Sequence, residues 1–246
     1  IDYKPVGYQT SVLTFEAQAD SNLSANTYTI PRYSFFNAGG IYYSFNSDIT
    51  FTKSVSGVET LTDLQAKNLL YQGQYREYPI ATAIGEEFET LILLPGDDII
   101  IDHFGVDVYV KSVDTNKWSK WERTTSLYLE KSVAQKYEVR LNEHKRYEIK
   151  FGNNNTGKKL SAGDQIAVYY LESKGSLGEI GPNVLDRSRL TKYNAVQFQD
   201  IFDEIKDANI KYITQPQMDN LTFSNSNGSS EYYEGESVSD IRKNAP

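Results

Sequence analysis

The sequence predicts a mainly β (α+β) fold, with two-layer, sandwich-like β subdomains and a short C-terminal helical segment. Three patterns carry this expectation. From Tyr137 to Phe151 apolar and charged residues alternate with period 2, twice: Tyr137, Val139 and Leu141 against Glu138 and Arg140, then Tyr147, Ile149 and Phe151 against Glu148 and Lys150. The link between these runs, residues 142–146, is short and polar, which predicts a β-hairpin. Residues 164–173 predict a third strand, with Ile166, Val168 and Tyr170 on one face and Ala167, Tyr169 and Leu171 on the other. Both faces are apolar, so this strand is expected inside a sheet and covered on both sides. After Pro182 the period changes. Phe198, Ile201, Phe202 and Ile205 stand at i, i+3, i+4 and i+7, the stripe of one amphipathic helix, with Asn194 as its expected N-cap.

Residues 2–7, with Pro5 and Gly7, read as a linker. Residues 9–17 are rich in β-formers, 21–26 predict a turn, and 28–30 and 33–36 predict short strands interrupted by Pro31. Proline cannot donate to a ladder, so Pro31 marks an edge or a bend. Gly39-Gly40 reverses the chain, and Tyr43, Phe45, Ile49 and Phe51 continue the meander. Residues 58–68 have weak helical character. Residues 69–78 predict a strand with Gly73 as a bulge. Phe88, Thr90, Ile92 and Leu94 predict another, ended by Pro95-Gly96, and 99–101 and 106–110 two more. Trp118 and Trp121 are expected to frame a polar turn, and 127–129 to lead into the hairpin. Beyond the helix, 210–214 predict a strand and the polar stretch 219–230 a mobile or partner-ordered loop.

The expected divisions are residues 1–57, an N-terminal β meander; 58–185, a central β domain; and 186–246, a helix and loop connector leading to a further C-terminal region. The chain starts at Ile1, not Met, and stops soon after a helix-start signal at Ser237 and Asp240, so it is expected to be a piece of a longer protein.

At 246 residues the chain fits one large β domain or two modest ones. A net charge of −8 argues against a nucleic-acid binder, whose footprint is basic. With no cysteine, disulfides, thiolate catalysis and cysteine-ligated metals are excluded. No apolar run approaches the ~20 residues that span a bilayer, so no membrane partner is expected. Apolar residues make up 39% of the chain, and 19 of its residues are tyrosine, leaving a lean aliphatic core that partner surfaces would complete. Tyrosine in this abundance suits interfaces or half-exposed strands.

No catalytic, cofactor-binding or metal-ligating residue is expected. Gly152 to Lys159 reads G-x-x-x-x-G-K, but Lys159 stands where a P-loop carries Ser or Thr, and a strand follows where a helix is required. His103 and His144 are the only histidines, and without an accompanying motif they read as solvated or capping residues. The acidic pairs Glu86-Glu87, Asp97-Asp98 and Asp203-Glu204 read as solvated surface, because neighbours on a strand point to opposite faces. Residues 225–229 (Asn-Ser-Asn-Gly-Ser) lack the aspartates of a calcium loop and read as flexible. Trp118, Trp121 and the tyrosines would serve either as a sugar-stacking platform or as a protein interface.

Three stretches carry a family resemblance. FGNNNTGKK, residues 151–159, is a strand end, a glycine turn and a basic pair, followed by a strand with I-x-V-x-Y; TYTIPRYSFF is residues 27–36; ESVSDIRKNAP is residues 236–246. Together and in this order they resemble the baseplate J-like family, the wedge proteins of contractile-tailed bacteriophages, with an order similar to the larger T-even-type subunits. Where that family has a second turn glycine this chain has Asn154, which is expected to take the left-handed conformation in its place. The resemblance implies a structural virion protein without enzymatic activity or cofactor, a viral baseplate wedge subunit that links wedges into a ring around the hub. It implies a role in tail assembly and in relaying the trigger for sheath contraction and genome ejection. The implied partners are other wedge proteins and a second copy in a homodimer within the ring, with no nucleic acid and no membrane. The implied location is the phage tail, and the host cytoplasm during assembly. The alternative is a carbohydrate-binding β-sandwich of a tail fibre or adhesin, and a third reading is a polysaccharide-degrading tail protein.

Overall fold

The computed structural model describes residues 6–53, 59–60, 69–96, 98–142 and 144–235. In chain order the strands are β1 Val12–Leu13, β2 Glu16–Ala19, β3 Asn26–Ile30, β4 Phe35–Ala38, β5 Ile41–Ser44, β6 Ile49–Lys53, β7 Glu59–Thr60, β8 Leu70–Gln72, β9 Gln74–Thr82, β10 Thr90–Ile92, β11 Ile100–Lys111, β12 Trp118–Thr124, β13 Lys136–Leu141, β14 Tyr147–Lys150, β15 Gln165–Ser173 and β16 Leu190–Thr191. Helices α1 Val196–Ile205 and α2 Gln215–Met218 follow, then β17 Leu221–Ser224. The protein is mainly β, of the α+β class, with several sheets and a short helical segment. The helical character expected over 58–68 falls largely outside the described residues, and Glu59–Thr60 are strand. The resembling stretch 236–246, with Ser237 and Asp240, also lies outside them.

Four sheets are present among the described residues. Their orders are β1-β8-β5-β4-β16, β10-β14-β13-β12-β11-β15-β9, β17-β2-β7 and β3-β6. The strand pairing runs across both divisions expected from the sequence. β16 pairs with β4 and β17 with β2, so residues beyond 185 complete the N-terminal sheets. Leu185, Leu190, Ile213, Met218, Leu221 and Phe223 share one core with Leu13, Tyr28, Phe36, Phe51 and their neighbours.

The seven-stranded sheet is strongly rolled. Its two edge strands, β9 and β10, approach closely enough for the Tyr78 hydroxyl to donate to the Ile92 carbonyl at 3.4 Å. All seven strands turn side chains into one core, built around Val108, Trp121, Tyr137, Ile149, Phe151 and Val168. The predicted hairpin is β13 and β14, paired antiparallel with Val139 opposite Ile149. β15 lies between β11 and β9 and separates two cores. Ile166, Val168 and Tyr170 enter the rolled sheet, while Ala167, Tyr169 and Leu171 face a third cluster outside it.

That third cluster joins the two halves of the molecule. α1 presents Phe198, Ile201 and Phe202 to it, and Tyr33, Tyr75, Tyr109 and Tyr193 complete it. Tyr33 comes from the N-terminal half with φ 66°, a left-handed value that costs a bulky residue free energy. Its buried ring stacks on Tyr75 with centroids 4.0 Å apart, and its hydroxyl donates to Asp107 Oδ2 at 2.6 Å. Of the 18 described tyrosines, ten are buried, five of them in this cluster, and the other eight keep the half-exposed or exposed positions expected for them. A buried tyrosine suits this place because its ring packs while its hydroxyl finds a partner.

Three expectations are corrected in detail. Gly73, read as a bulge, is where one apparent strand leaves the five-stranded sheet as β8 and enters the rolled sheet as β9. Its φ of 134° and the carbonyl of Glu172 beside its Cα exclude a side chain. Asn194 does not cap α1: the N-cap is Ala195, without a side-chain bond, and Glu77 of β9 accepts from the Phe198 amide at 3.0 Å instead. Residues 210–214 form a single bridge, Thr29 to Tyr212, followed by a capping box in which Thr214 and Gln217 start α2.

Candidate functional site

Three loops meet at one end of the rolled sheet: residues 83–89, 125–135 and 151–160. Backbone hydrogen bonds knit them together. The Phe88 amide donates to the Gly152 carbonyl at 3.1 Å, Phe151 to Glu89 at 3.0 Å and Lys158 to Ala134 at 2.8 Å. The two oxygens of the Glu89 carboxylate accept from the amides of Ile84 and Gly85, each at 2.9 Å. Leu127 is buried beneath Gly157, and the rings of Phe88 and Tyr128 lie 6.1 Å apart. From this fixed platform Leu129 (81% exposed), Val133 (77%), Ile84 (66%) and Tyr128 (64%) project into solvent. Single exposed apolar residues are ordinary, whereas several on one loop cluster make a candidate interaction surface.

The glycine turn belongs to this platform. Asn154 takes φ 66°, as expected, and Gly157 takes φ 75°. Gly152 is required for a different reason, because a Cβ there would overlap the Gly157 carbonyl. The amides that a P-loop would turn toward phosphate are already engaged. Asn155 and Thr156 donate to Asn153 Oδ1 at 3.0 and 2.9 Å, and Lys159 donates to Asn154 Oδ1 at 2.9 Å.

His103 departs from its expected place on the surface. It is 6% exposed and lies in a bulge of β11, where residues 102–105 stand opposite Leu171 alone and the register shifts between Ile101 and Val106. The core tyrosines satisfy the bulge from inside: Tyr147 donates to the Ile101 carbonyl at 3.3 Å and Tyr137 to the Val106 carbonyl at 2.7 Å. Around the imidazole stand the Gly7 amide, 3.1 Å from Nδ1, and the Arg123 guanidinium, 3.0 Å from Nε2. Burial, and then the Arg123 charge, push the His103 pKa down to about 4. Beside it, burial raises the Asp102 carboxyl above its ordinary range, opposed by amide hydrogen bonds from Thr10, Phe104 and Gly105. His144 is exposed in the β13–β14 turn, its amide donating to Asn142 Oδ1 at 3.0 Å.

The remaining candidates separate. Trp118 and Trp121 do not frame a turn but share β12, pointing to opposite faces. Trp121 is 2% exposed and packs edge-on against Phe151, so the two indoles form no common platform. Trp118 lines a cleft of about 390 Å³ with Arg32, Asp48, Lys120, Phe202 and Tyr212. Glu86, Glu87 and Asp98 are exposed, and Asp97 lies outside the described residues. Asp203 pairs with Lys206 at 2.7 Å, and Glu204 accepts from the Trp118 amide at 2.8 Å. Among the described residues no three His, Cys, Asp or Glu side chains converge as metal ligands.

The stretch 219–230 is not a loose loop. β17 occupies its centre, and the fully buried Asn225 brackets the chain: Oδ1 accepts from Val184 and Leu185, each at 2.9 Å, and Nδ2 donates to Gly181 at 2.9 Å and Asn227 at 2.8 Å. This uses the full hydrogen-bonding capacity of an asparagine amide. The polar composition hid it, and the alternation of Leu221 and Phe223 was the available signal.

Neither a protein-family model nor a curated protein matches the chain. A functional reading therefore stands on the residues and their geometry.

Proposed function

We propose that the chain is a structural subunit of a contractile-tail baseplate wedge, which holds neighbouring wedge proteins in a ring around the hub and acts without catalysis. The observation that carries this reading is the apolar platform at the end of the rolled sheet. Its four projecting side chains sit on loops fixed by backbone hydrogen bonds, so a partner can bury them without first ordering the surface. The glycine turn that anchors the resemblance lies in the same platform, and its left-handed Asn154 keeps the geometry expected where the family has glycine. Two halves joined through packed tyrosines suit a part that transmits displacement as a body.

Co-expression with the other tail proteins of the same virus tests the proposal. The chain is expected to co-purify with a wedge protein, and Leu129→Asp with Val133→Asp to abolish co-purification while leaving the fold intact. Co-purification unaffected by both changes, or specific capture of a glycan in place of a protein, contradicts it.

A further inference from the structure

The cleft of about 390 Å³ beside Trp118 opens where three parts of the chain meet. Arg32 comes from the turn between β3 and β4, Trp118 and Lys120 from β12, and Phe202 and Tyr212 from α1 and the segment after it. Its volume is at the small end of the range for ligand sites. Part of the lining is apolar. The half-buried Trp118 ring packs with Ile205 and Tyr212 against the third cluster. The rings of Phe202 and Tyr212 meet edge-on, with centroids 4.8 Å apart.

In the charged part of the lining the acceptors are engaged and a donor is left over. Asp48 Oδ1 accepts from the Arg32 amide at 2.8 Å and Oδ2 from the Tyr212 hydroxyl at 3.0 Å. Lys120 Nζ stands 2.9 Å from Asp107 Oδ1, and Asp107 Oδ2 accepts from the Tyr33 hydroxyl at 2.6 Å. The Arg32 guanidinium makes one hydrogen bond among the described residues, a long one from Nε to Asp48 Oδ1 at 3.4 Å. Nη1 is buried without a partner, and Nη2 donates to no described residue. The Tyr109 hydroxyl is close enough to feel the Arg32 charge but stands outside hydrogen-bond geometry, and it pairs with Tyr33 at 2.9 Å. An arginine side chain only 17% exposed, with both Nη groups unpaired, is costly until an acceptor reaches it.

We propose that this cleft takes an aspartate or glutamate side chain of a partner protein, with its carboxylate on the Arg32 guanidinium and a neighbouring apolar residue of the partner against Trp118. A guanidinium matches a planar carboxylate with parallel N–H groups, and an ionised carboxylate only accepts, which is what the lining lacks. Charge narrows the occupant further. Asp48 and Asp107 repel a phosphate dianion more strongly than a monoanion. A sugar would bring several hydroxyl donors to a site whose carboxylate oxygens each already accept a hydrogen bond. The apolar wall beside the fork suits a peptide that carries an acidic residue next to an aliphatic one. The cleft shares no residue with the platform, so this stands independently of the wedge reading.

Titration of the full chain with the blocked tripeptide acetyl-Leu-Asp-Leu-amide, followed by NMR of the two indole N–H signals, tests this. The Trp118 signal is expected to move and saturate at millimolar peptide, while that of Trp121, buried on the other face of β12, stays in place. Acetyl-Leu-Asn-Leu-amide, which keeps the shape and loses the charge, is expected to bind at least ~10-fold more weakly. Arg32→Lys keeps a cation but loses the planar fork, and is expected to weaken the aspartyl peptide by about 10-fold. Its melting temperature shows whether it folds, and the comparison of the two peptides on the native chain decides the matter without it. A Trp118 signal that does not move at millimolar peptide, equal affinity for the two peptides, undiminished binding in a folded Arg32→Lys chain, or tighter binding of glucuronate than of the aspartyl peptide overturns the proposal.

Discussion

Arg123 Nη2 stands 3.0 Å from His103 Nε2, so a buried imidazole with its pKa pushed down to about 4 faces a guanidinium across a strand pair. Because the folded value lies below the ordinary 6.5, the unfolded chain takes up the proton first as pH falls. The stabilisation is complete above about pH 6.5 and is lost as pH falls through about 4. Asp102, raised in the folded state, contributes with the opposite sign at lower pH, so the comparison must isolate the histidine. Calorimetric melting between pH 7 and pH 4.5 is expected to show a steeper fall in Tm for the native chain than for His103→Asn. Parallel curves contradict the assignment.

Asn225 supports the crossing of 181–185 with the end of β17. Asn225→Ala leaves two buried amides without an acceptor and is expected to cost about 3 kcal/mol or more. Asn225→Asp keeps the acceptor but buries a carboxylate oxygen against the Gly181 and Asn227 carbonyls, and is expected to cost at least as much. Urea midpoints at unchanged slope measure both, and equal midpoints for alanine and native chain contradict the account.

The glycine turn yields a graded series. Gly152→Ala forces its Cβ into the Gly157 carbonyl and is expected to destabilise by roughly 1–3 kcal/mol. Asn154→Ala keeps φ 66° without the side chain that tolerates it and loses the acceptor for Lys159, at a cost of about 1–2 kcal/mol. Asn154→Gly is expected to be closer to native than Asn154→Ala. Reversal of the two Asn154 variants in a denaturant series contradicts this reading.

Leu129→Asp and Val133→Asp alter side chains that are almost fully solvated, so each is expected to change stability by less than about 0.5 kcal/mol. Burial of each in a partner surface is worth about 1.5–3 kcal/mol, so each change is expected to weaken partner binding by on the order of 10- to 100-fold. Titration calorimetry against the captured wedge protein gives the comparison. Weaker binding accompanied by lost stability points to a folding defect instead.

What could be read from the sequence was local and periodic. The β13–β14 hairpin and the two faces of β15 follow from alternation, and a left-handed Asn154 is what the family resemblance implies where the family has a glycine. What depended on distant partners could not be read. Glu77 caps α1 from a strand more than a hundred residues away, a role no local pattern reveals against the nearer Asn194. Gly73 carries the same signal whether it bulges a strand or passes it between sheets. Trp121 was indistinguishable from a surface indole because β12 has half-buried residues on both sides of it. Asn225 and His103 owe their positions to a crossing and a four-residue bulge that exist only once the sheets are assembled.

The central claim, that this molecule works as a joint between subunits, is tested most directly by a cryo-electron microscopy reconstruction of the assembled phage particle. The account predicts the rolled sheet within the baseplate ring, with Ile84, Tyr128, Leu129 and Val133 buried against another wedge protein. The fold found at a fibre tip with those four side chains in solvent and a sugar in the Trp118 cleft would contradict it.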